Sequence, residues 1–271
     1  MNRIDLICTD LDGTLICGGD KPYEIGTFRY ALNTCRTRWE SKWAIITGRK
    51  LHDTRPVIAF FMGYNLRPDF VVAEDGLIYR RNSRSKLAPF WWWNFNVKRK
   101  RFHLGRRNAV EIEQWRQYLL SSYPDAVDRS LQSVDLWLEF TREEECEEGE
   151  AYLIRQVGQT SGFKVYRWGC ELFLAFAIGT KGEAVAKLKE VEGLSANNIF
   201  AVGDGPNDLS MLSDSVVGMK ACVGNALEKI KGTVRQGNGY VATKEGAAGV
   251  AEAINEFVSY SEDGGGVIGN R

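Results

Sequence analysis

No C-x-x-C pair occurs among the six cysteines of this 271-residue chain, Cys8, Cys17, Cys35, Cys146, Cys170 and Cys222. Such scatter argues against a zinc site and against a disulfide framework. Histidine is scarce, and neither His52 nor His103 has ligand-like neighbours. An excess of one charge is also missing. Lys and Arg number 35, as do Asp and Glu, so no global field draws the chain onto nucleic acid or an anionic membrane. No apolar run is long enough to span a bilayer, and the first residues lack the n-region and h-region of a signal peptide. The expectation is a cytoplasmic, reduced, soluble protein without internal repeats. Its length allows two modest domains.

What is present is organised around Asp5–Leu15. An apolar run, Ile4, Leu6, Ile7 and Cys8, leads into Asp10 and Asp12, then Gly13 and Thr14. A run of this length bounded by a turn signal predicts a buried strand. Its carboxylates would emerge at the carboxyl end, where open α/β sheets bind ligands. Two carboxylates this close repel unless a cation or a shared proton intervenes. A metal site, a nucleophile with an acid/base partner, or both would account for them; a plain surface turn is the bland alternative.

The following residues alternate helix and strand. Gly18–Pro22 reads as a loop and Glu24–Arg38 as a helix with Phe28, Ala31, Leu32 and Cys35 on one face. Trp43–Ile46 reads as a strand ending in Thr47-Gly48-Arg49, followed by helix His52–Met62 and strand Phe70–Ala73. A βαβ unit of this kind predicts a parallel sheet. From about Ser83 the pattern breaks into Trp91-Trp92-Trp93, a basic run Lys98–Arg107, helix-like segments Val110–Leu120 and Ala151–Val157, an alternating stretch Ser133–Phe140 and an acidic run Glu143–Glu150. Two strand-like segments, Lys164–Trp168 and Glu171–Ala177, close this region. Alternation then resumes with helix Lys181–Glu192, strand Ile199–Val202, apolar Val216–Met219 and helix Ala247–Tyr260. The fold class expected is α/β, a doubly wound parallel-sheet core over 1–82 and 179–260 with an α+β cap inserted at 83–178. Residues 261–271, Gly-rich and polar, read as a disordered tail. The tryptophans are expected in the cap core or between cap and core, or as an aromatic wall for a sugar ring. The basic run reads as a solvated cap surface rather than a nucleic-acid site.

Asp10 and Asp12, Thr47, Lys181, and Asp204 with Asp208 all stand at predicted strand ends or helix starts. In a parallel sheet such positions converge on one crevice. Four carboxylates there would repel one another without a divalent cation, and all-oxygen ligation points to Mg²⁺. Mg²⁺ with a lysine suits phosphoryl transfer, and an aspartate nucleophile would give an aspartyl-phosphate. Lys181 opposes the macrodipole at its helix start, so an anion nearby is expected.

These residues resemble a family. Asp10-Leu11-Asp12-Gly13-Thr14 is similar to the first motif of the haloacid dehalogenase superfamily of phosphohydrolases, Thr47 to the second, Lys181 to the third and Gly203–Asp208 to the fourth, in order and over all but the inserted module. The resemblance implies that Asp10 attacks phosphorus and that Asp12 protonates the leaving oxygen, then activates water. Thr47, Gly48, Arg49, Lys181 and Asn207 would hold the substrate. Asp10, Asp12 through its backbone carbonyl, Asp204 and Asp208 would hold Mg²⁺. The insertion resembles the large cap of the Cof-like branch, which includes sucrose-phosphate and mannosyl-phosphoglycerate phosphatases. Gly224-Asn225-Ala226 and Thr243–Gly249 are similar to features of that branch. Asp75-Gly76 departs from its Asn-Gly-Ala, and the strand Glu171–Ala177 lacks the proline that commonly follows it. The implied function is Mg²⁺-dependent hydrolysis of a sugar or polyol phosphate, with the cap closing over the leaving group. Arg167, Trp168 and Glu171 are candidate cap contacts. A phosphomutase or phosphotransferase using the same intermediate, and a non-catalytic phosphometabolite-binding protein, are the alternatives. The partner expected is a small phosphorylated molecule, not nucleic acid or membrane.

Overall fold

The computed structural model describes residues 3–17, 25–130, 136–158 and 162–260. The elements run β1 Leu6–Thr9, α1 Ile25–Trp39, β2 Lys42–Ile46, α2 Leu51–Gly63, β3 Phe70–Ala73, β4 Leu77–Arg81, β5 Leu87–Pro89, α3 Trp91–Arg107, α4 Ala109–Ser122, β6 Val127–Asp128 and β7 Leu136–Glu139. They continue α5 Glu143–Val157, β8 Phe163–Trp168, β9 Glu171–Phe176, α6 Lys181–Glu192, β10 Ile199–Gly203, β11 Met219–Cys222, α7 Glu228–Gln236, β12 Tyr240–Val241 and α8 Gly246–Tyr260. The expected loop Gly18–Pro22 and tail 261–271 lie outside the described residues. Among the described residues no helix is long and apolar enough to cross a membrane.

The chain divides into two compact units, Met1–Trp91 with Lys181–Arg271, and Trp92–Thr180. The first is a doubly wound α/β unit on an eight-stranded sheet ordered β12-β11-β10-β1-β2-β3-β4-β5. Its strands are parallel from β12 to β3, and β4 and β5 are antiparallel. Strands β1, β3, β10 and β11 are buried at every residue. That explains why most of them read as unbroken apolar runs rather than alternations. The chain fills one side of β1 with β2 and β3 and returns to its other side with β10 and β11. This reversal opens a crevice at the carboxyl ends of β1 and β10. Trp43 anchors the core, edge-on to Phe28 at 5.2 Å and Phe61 at 5.6 Å, with its indole N–H donated to Thr9 Oγ1 at 3.0 Å.

The second unit holds an antiparallel sheet ordered β6-β7-β9-β8. Its alternation is clean: Leu136, Leu138, Leu172 and Leu174 join Ile112, Trp115 and Leu119 of α4 and Cys146 and Leu153 of α5 in one apolar core. On the other face Trp137, Phe173 and Tyr166 stand in one cross-strand row.

Several expectations are corrected. The domain boundary expected after residue 82 falls after Trp91, because β4 and β5 add to the first unit's sheet. The acidic run and Ala151–Val157 form one helix, α5; its glutamates face outward while Cys146, Gly149 and Leu153 face in. The basic run is helical too, within α3, which buries Asn94, Val97 and Gly105 and so turns Trp91 and Trp92 into solvent rather than into a core. The strand expected at Val216–Met219 is Met219–Cys222, since Gly218 N–H is donated instead to Ala196 O at 2.7 Å.

Candidate active site

Each predicted motif sits where its strand or helix delivers it to the crevice of the first unit. Asp10 follows β1, its N–H donated to Val202 O of β10 at 3.0 Å. The chain then turns through Gly13 at φ +76°, a left-handed conformation glycine adopts without steric cost. A Cβ at Gly13 would overlap the Asp204 carboxylate. The close approach therefore requires glycine as much as the turn does. Thr14, next in line, donates its hydroxyl to Asp204 Oδ1 at 2.5 Å.

Lys181 opens α6 with a side chain 1% exposed. A buried ammonium at a helix N-terminus is doubly unfavourable, by desolvation and by the macrodipole. Two carboxylates offset this: Nζ donates to Asp10 Oδ1 at 2.6 Å and to Asp208 Oδ1 at 2.7 Å. Burial alone would lower the lysine pKa, but Asp10 and Asp208 hold it above its ordinary value. Asp208 is itself fixed by its other oxygen, which accepts the N–H groups of Asp204 at 3.0 Å and Gly205 at 2.9 Å.

Asp10, Asp204 and Asp208 each bring a carboxylate oxygen within 4.8 Å of the others, all buried. Three carboxylates around one ammonium leave an excess of two negative charges when all are ionised. Accordingly burial, then Asp208, raises the Asp10 pKa well above the usual range. Burial and the same neighbour push Asp204 up to about 7. Asp204 Oδ2 is buried without a hydrogen-bond partner, an arrangement that costs about 1–3 kcal/mol for a neutral group and more for a charged one. A hard cation would neutralise the excess charge and occupy that oxygen. The all-oxygen donor set fits Mg²⁺ in particular, which is satisfied by a few carboxylates plus water and substrate oxygens.

Other predicted residues take different places. The Asp12 carboxylate lies outside the acidic cluster and pairs with Arg49, which donates Nε to Oδ2 at 2.7 Å and Nη2 to Oδ1. Thr47 is buried after β2, and its hydroxyl accepts the Arg49 N–H at 3.1 Å. Gly48 faces Asp75, whose Oδ1 would be 3.5 Å from a Cβ there. Asn207 donates Nδ2 to the same Asp75 oxygen at 3.3 Å. Arg167, expected near substrate, is instead bound by Glu143, Glu147 and Glu150 of α5.

Sequence reasoning missed Asp75 as a member of the site. Glu74 and Asp75, at φ +50° and +60°, form a type I′ turn between β3 and β4, closed by Gly76 N–H to Ala73 O at 3.1 Å. Asp75 N–H is donated to Thr47 O and Glu74 N–H to Arg49 O, so this hairpin sets the Thr47–Arg49 loop. The signal available was its departure from Asn-Gly-Ala. Asn225 plays a comparable part, donating to Gly13 O at 2.7 Å and accepting from Gly246 N–H at 3.2 Å. It thereby joins Gly224-Asn225-Ala226 to both the first motif and the start of α8.

Comparison with known proteins places the whole chain among phosphatases. A Bacillus subtilis protein, 5-amino-6-(5-phospho-D-ribitylamino)uracil phosphatase YcsE, is 24% identical over 94% of this chain and 96% of its own. A second Bacillus subtilis protein named for the same activity, YwtE, is 34% identical over 79 residues, and that match spans 29% of this chain and 26% of YwtE. The sucrose-phosphatase of Synechocystis sp. PCC6803, solved with sucrose and phosphate, shares the fold at a TM-score of 0.66 and 19% identity, covering 95% of this chain and 99% of the other. Residues 4–258 match the sequence profile described as sucrose-6F-phosphate phosphohydrolase. With that match reaching from β1 into α8 and taking in every residue of the acidic crevice, the chain belongs to the sucrose-6F-phosphate phosphohydrolase family and is a phosphoric monoester hydrolase of the haloacid dehalogenase superfamily.

Proposed function

We propose that the enzyme is a Mg²⁺-dependent phosphatase for a sugar or polyol phosphate, working through an aspartyl-phosphate on Asp10. The observation that carries the reading is the Lys181 ammonium bridging Asp10 and Asp208 beside the unpartnered oxygen of Asp204. Asp10, Asp204 and Asp208 would hold the metal, which supplies positive charge to the carboxylates and the phosphoryl oxygens.

An Asp10 oxygen attacks phosphorus as the ester P–O bond breaks. Lys181 stabilises charge on the phosphoryl group and keeps Asp10 oriented, and the Thr47 hydroxyl donates to a phosphoryl oxygen. Asp12 gives a proton to the departing alkoxide. Its carboxylate then takes a proton from water, which attacks phosphorus, releases inorganic phosphate and restores Asp10. A two-point guanidinium pair engages a carboxylate, not an acid, so Arg49 has to leave Asp12 before Asp12 can carry a proton. An arriving phosphoryl group competes for Arg49 and would release it.

The sugar or polyol assignment draws on the relatives: one is named for a phosphoribityl compound, and another was solved with sucrose and phosphate. Six free cysteines support a reducing, cytoplasmic setting. The deciding experiment is phosphate release from a panel of sugar and polyol phosphates, with Mg²⁺ or with chelator, for the wild type and Asp10→Asn. Release that requires both metal and Asp10, ranked toward sugar or polyol esters, is expected. Undiminished release by Asp10→Asn would overturn the mechanism.

A further inference from the structure

Helix α3, all but its first residue in the second unit, has an exposed face that none of the residue roles proposed above draws on. Its 17 residues include no Asp or Glu and six cations, Lys98, Arg99, Lys100, Arg101, Arg106 and Arg107. The inward side is Asn94, Val97 and Gly105. Beside it, at 3.6 residues per turn, about 120° of the circumference carries Lys98, Trp91, Phe102, Phe95, Arg106, Arg99 and Trp92 in angular order. Trp92 is 77% exposed, Phe102 62% and Phe95 53%. The Trp92 and Phe95 rings lie 5.9 Å apart, so they form a patch rather than isolated side chains. Among the described residues Lys98, Arg99 and Arg106 have no carboxylate partner. Phenylalanine has no polar tip, so leaving two in water forgoes the transfer free energy that covering them would give.

We propose that this face docks the enzyme onto an anionic membrane surface. Aromatic rings favour the boundary between headgroups and acyl chains, while Lys and Arg stems lie along apolar surface and reach phosphates. A helix that interleaves the two on one face, with no acidic residue, matches that boundary. The chain's zero net charge does not oppose this, because at physiological ionic strength charges beyond about 8 Å are screened and the local patch decides. A second copy is a poorer occupant. Two-fold pairing would set these cations against each other without any acid on the helix. Single-stranded nucleic acid is poorer too, since its binders track the backbone in a charged groove, and one helix face is convex.

The test is co-sedimentation of the full-length protein with vesicles of roughly 30% phosphatidylserine in phosphatidylcholine, against pure phosphatidylcholine, at about 0.15 M salt. Pelleting with the anionic vesicles alone is expected. Two double variants, Phe95→Ser with Phe102→Ser and Arg99→Glu with Arg106→Glu, are each expected to lower partitioning about tenfold or more. Both alter exposed side chains, and circular dichroism and the thermal midpoint check that they remain folded. Pelleting no greater than with pure phosphatidylcholine overturns the proposal, as does undiminished pelleting of both folded variants. Binding to a labelled oligonucleotide, or dimerisation lost in the same variants, without pelleting, reassigns the face and equally overturns it.

Discussion

Two charge clusters, one in each unit, are handled in opposite ways. In the first unit Lys181, Asp10, Asp204 and Asp208 are buried and bonded to one another, with one oxygen left over. In the second, Arg167 meets Glu143, Glu147 and Glu150 at a partly exposed site, and Lys98, Arg99 and Arg106 of α3 have no carboxylate partner among the described residues. Water compensates a charge that loses its partner at the surface, whereas a buried charge has no such recourse. Substitutions that remove one charge should therefore separate the two units by effect size.

The largest effect is expected at Lys181→Met. It removes the one cation bonded to Asp10 and Asp208 among the described residues and leaves two buried carboxylates facing Asp204. Loss of one partner from a buried pair costs about 3–5 kcal/mol, and loss of a phosphoryl-stabilising donor lowers turnover by about 10²–10³-fold. Urea unfolding and phosphate release measure the two separately. A variant as stable as the wild type would refute the account of the buried cluster.

Gly13→Ala comes next. The residue has φ +76°, and a Cβ would meet the Asp204 carboxylate. Left-handed backbone costs alanine about 1–2 kcal/mol, and Asp204 must also move. Mg²⁺ affinity, read by calorimetry, should fall about 10–100-fold, with a smaller loss of stability than at Lys181.

A shift in pH should sharpen the contrast without any substitution. Burial and Asp208 raise Asp204 to about 7 in the folded protein, and Asp10 is also raised. A raised folded pKa gives stability that is complete below the unfolded value near 4 and is lost as pH climbs through 7. The metal-free protein should thus melt lower at pH 8 than at pH 5. Mg²⁺ binds only the ionised carboxylates, so its stabilisation should grow over the same interval. Differential scanning calorimetry with and without Mg²⁺ checks this; a metal-induced rise in Tm that is the same at both pH values would contradict it.

Legibility in the sequence follows the same division. The positions of Asp10, Asp12, Thr47, Lys181, Asp204 and Asp208 were legible because each stands at a local event, just after a strand or at a helix start, that its neighbours mark. Asp75 was not, because its relevance comes from a turn that reaches Thr47 and Asn207 across the fold. Strand β11 was misplaced because Lys220 interrupts its apolar run; that lysine is buried and pairs with Asp214. Helix α7 escaped notice because only Ile230 and Val234 mark its inner face. In α5 the glutamates looked like a solvated run, and their shared partner Arg167 lies on a strand that follows the helix.

Arg167→Ala is the smallest predicted effect and the one that tests the comparison from the other side. Its side chain is 22% exposed, and each of its three partners reaches solvent. Three hydrogen-bonded ion pairs at one guanidinium look strong by count, but exposed pairs contribute about 0.2–1 kcal/mol and are screened by salt. The variant gathers Glu143, Glu147 and Glu150 on one helix face without a cation, and their mutual repulsion is relieved by hydration. A loss of about 1 kcal/mol that shrinks in high salt is expected in urea unfolding. A loss approaching that of Lys181→Met would mean that the second unit holds its charges as the first does, and exposure would no longer explain the difference between them.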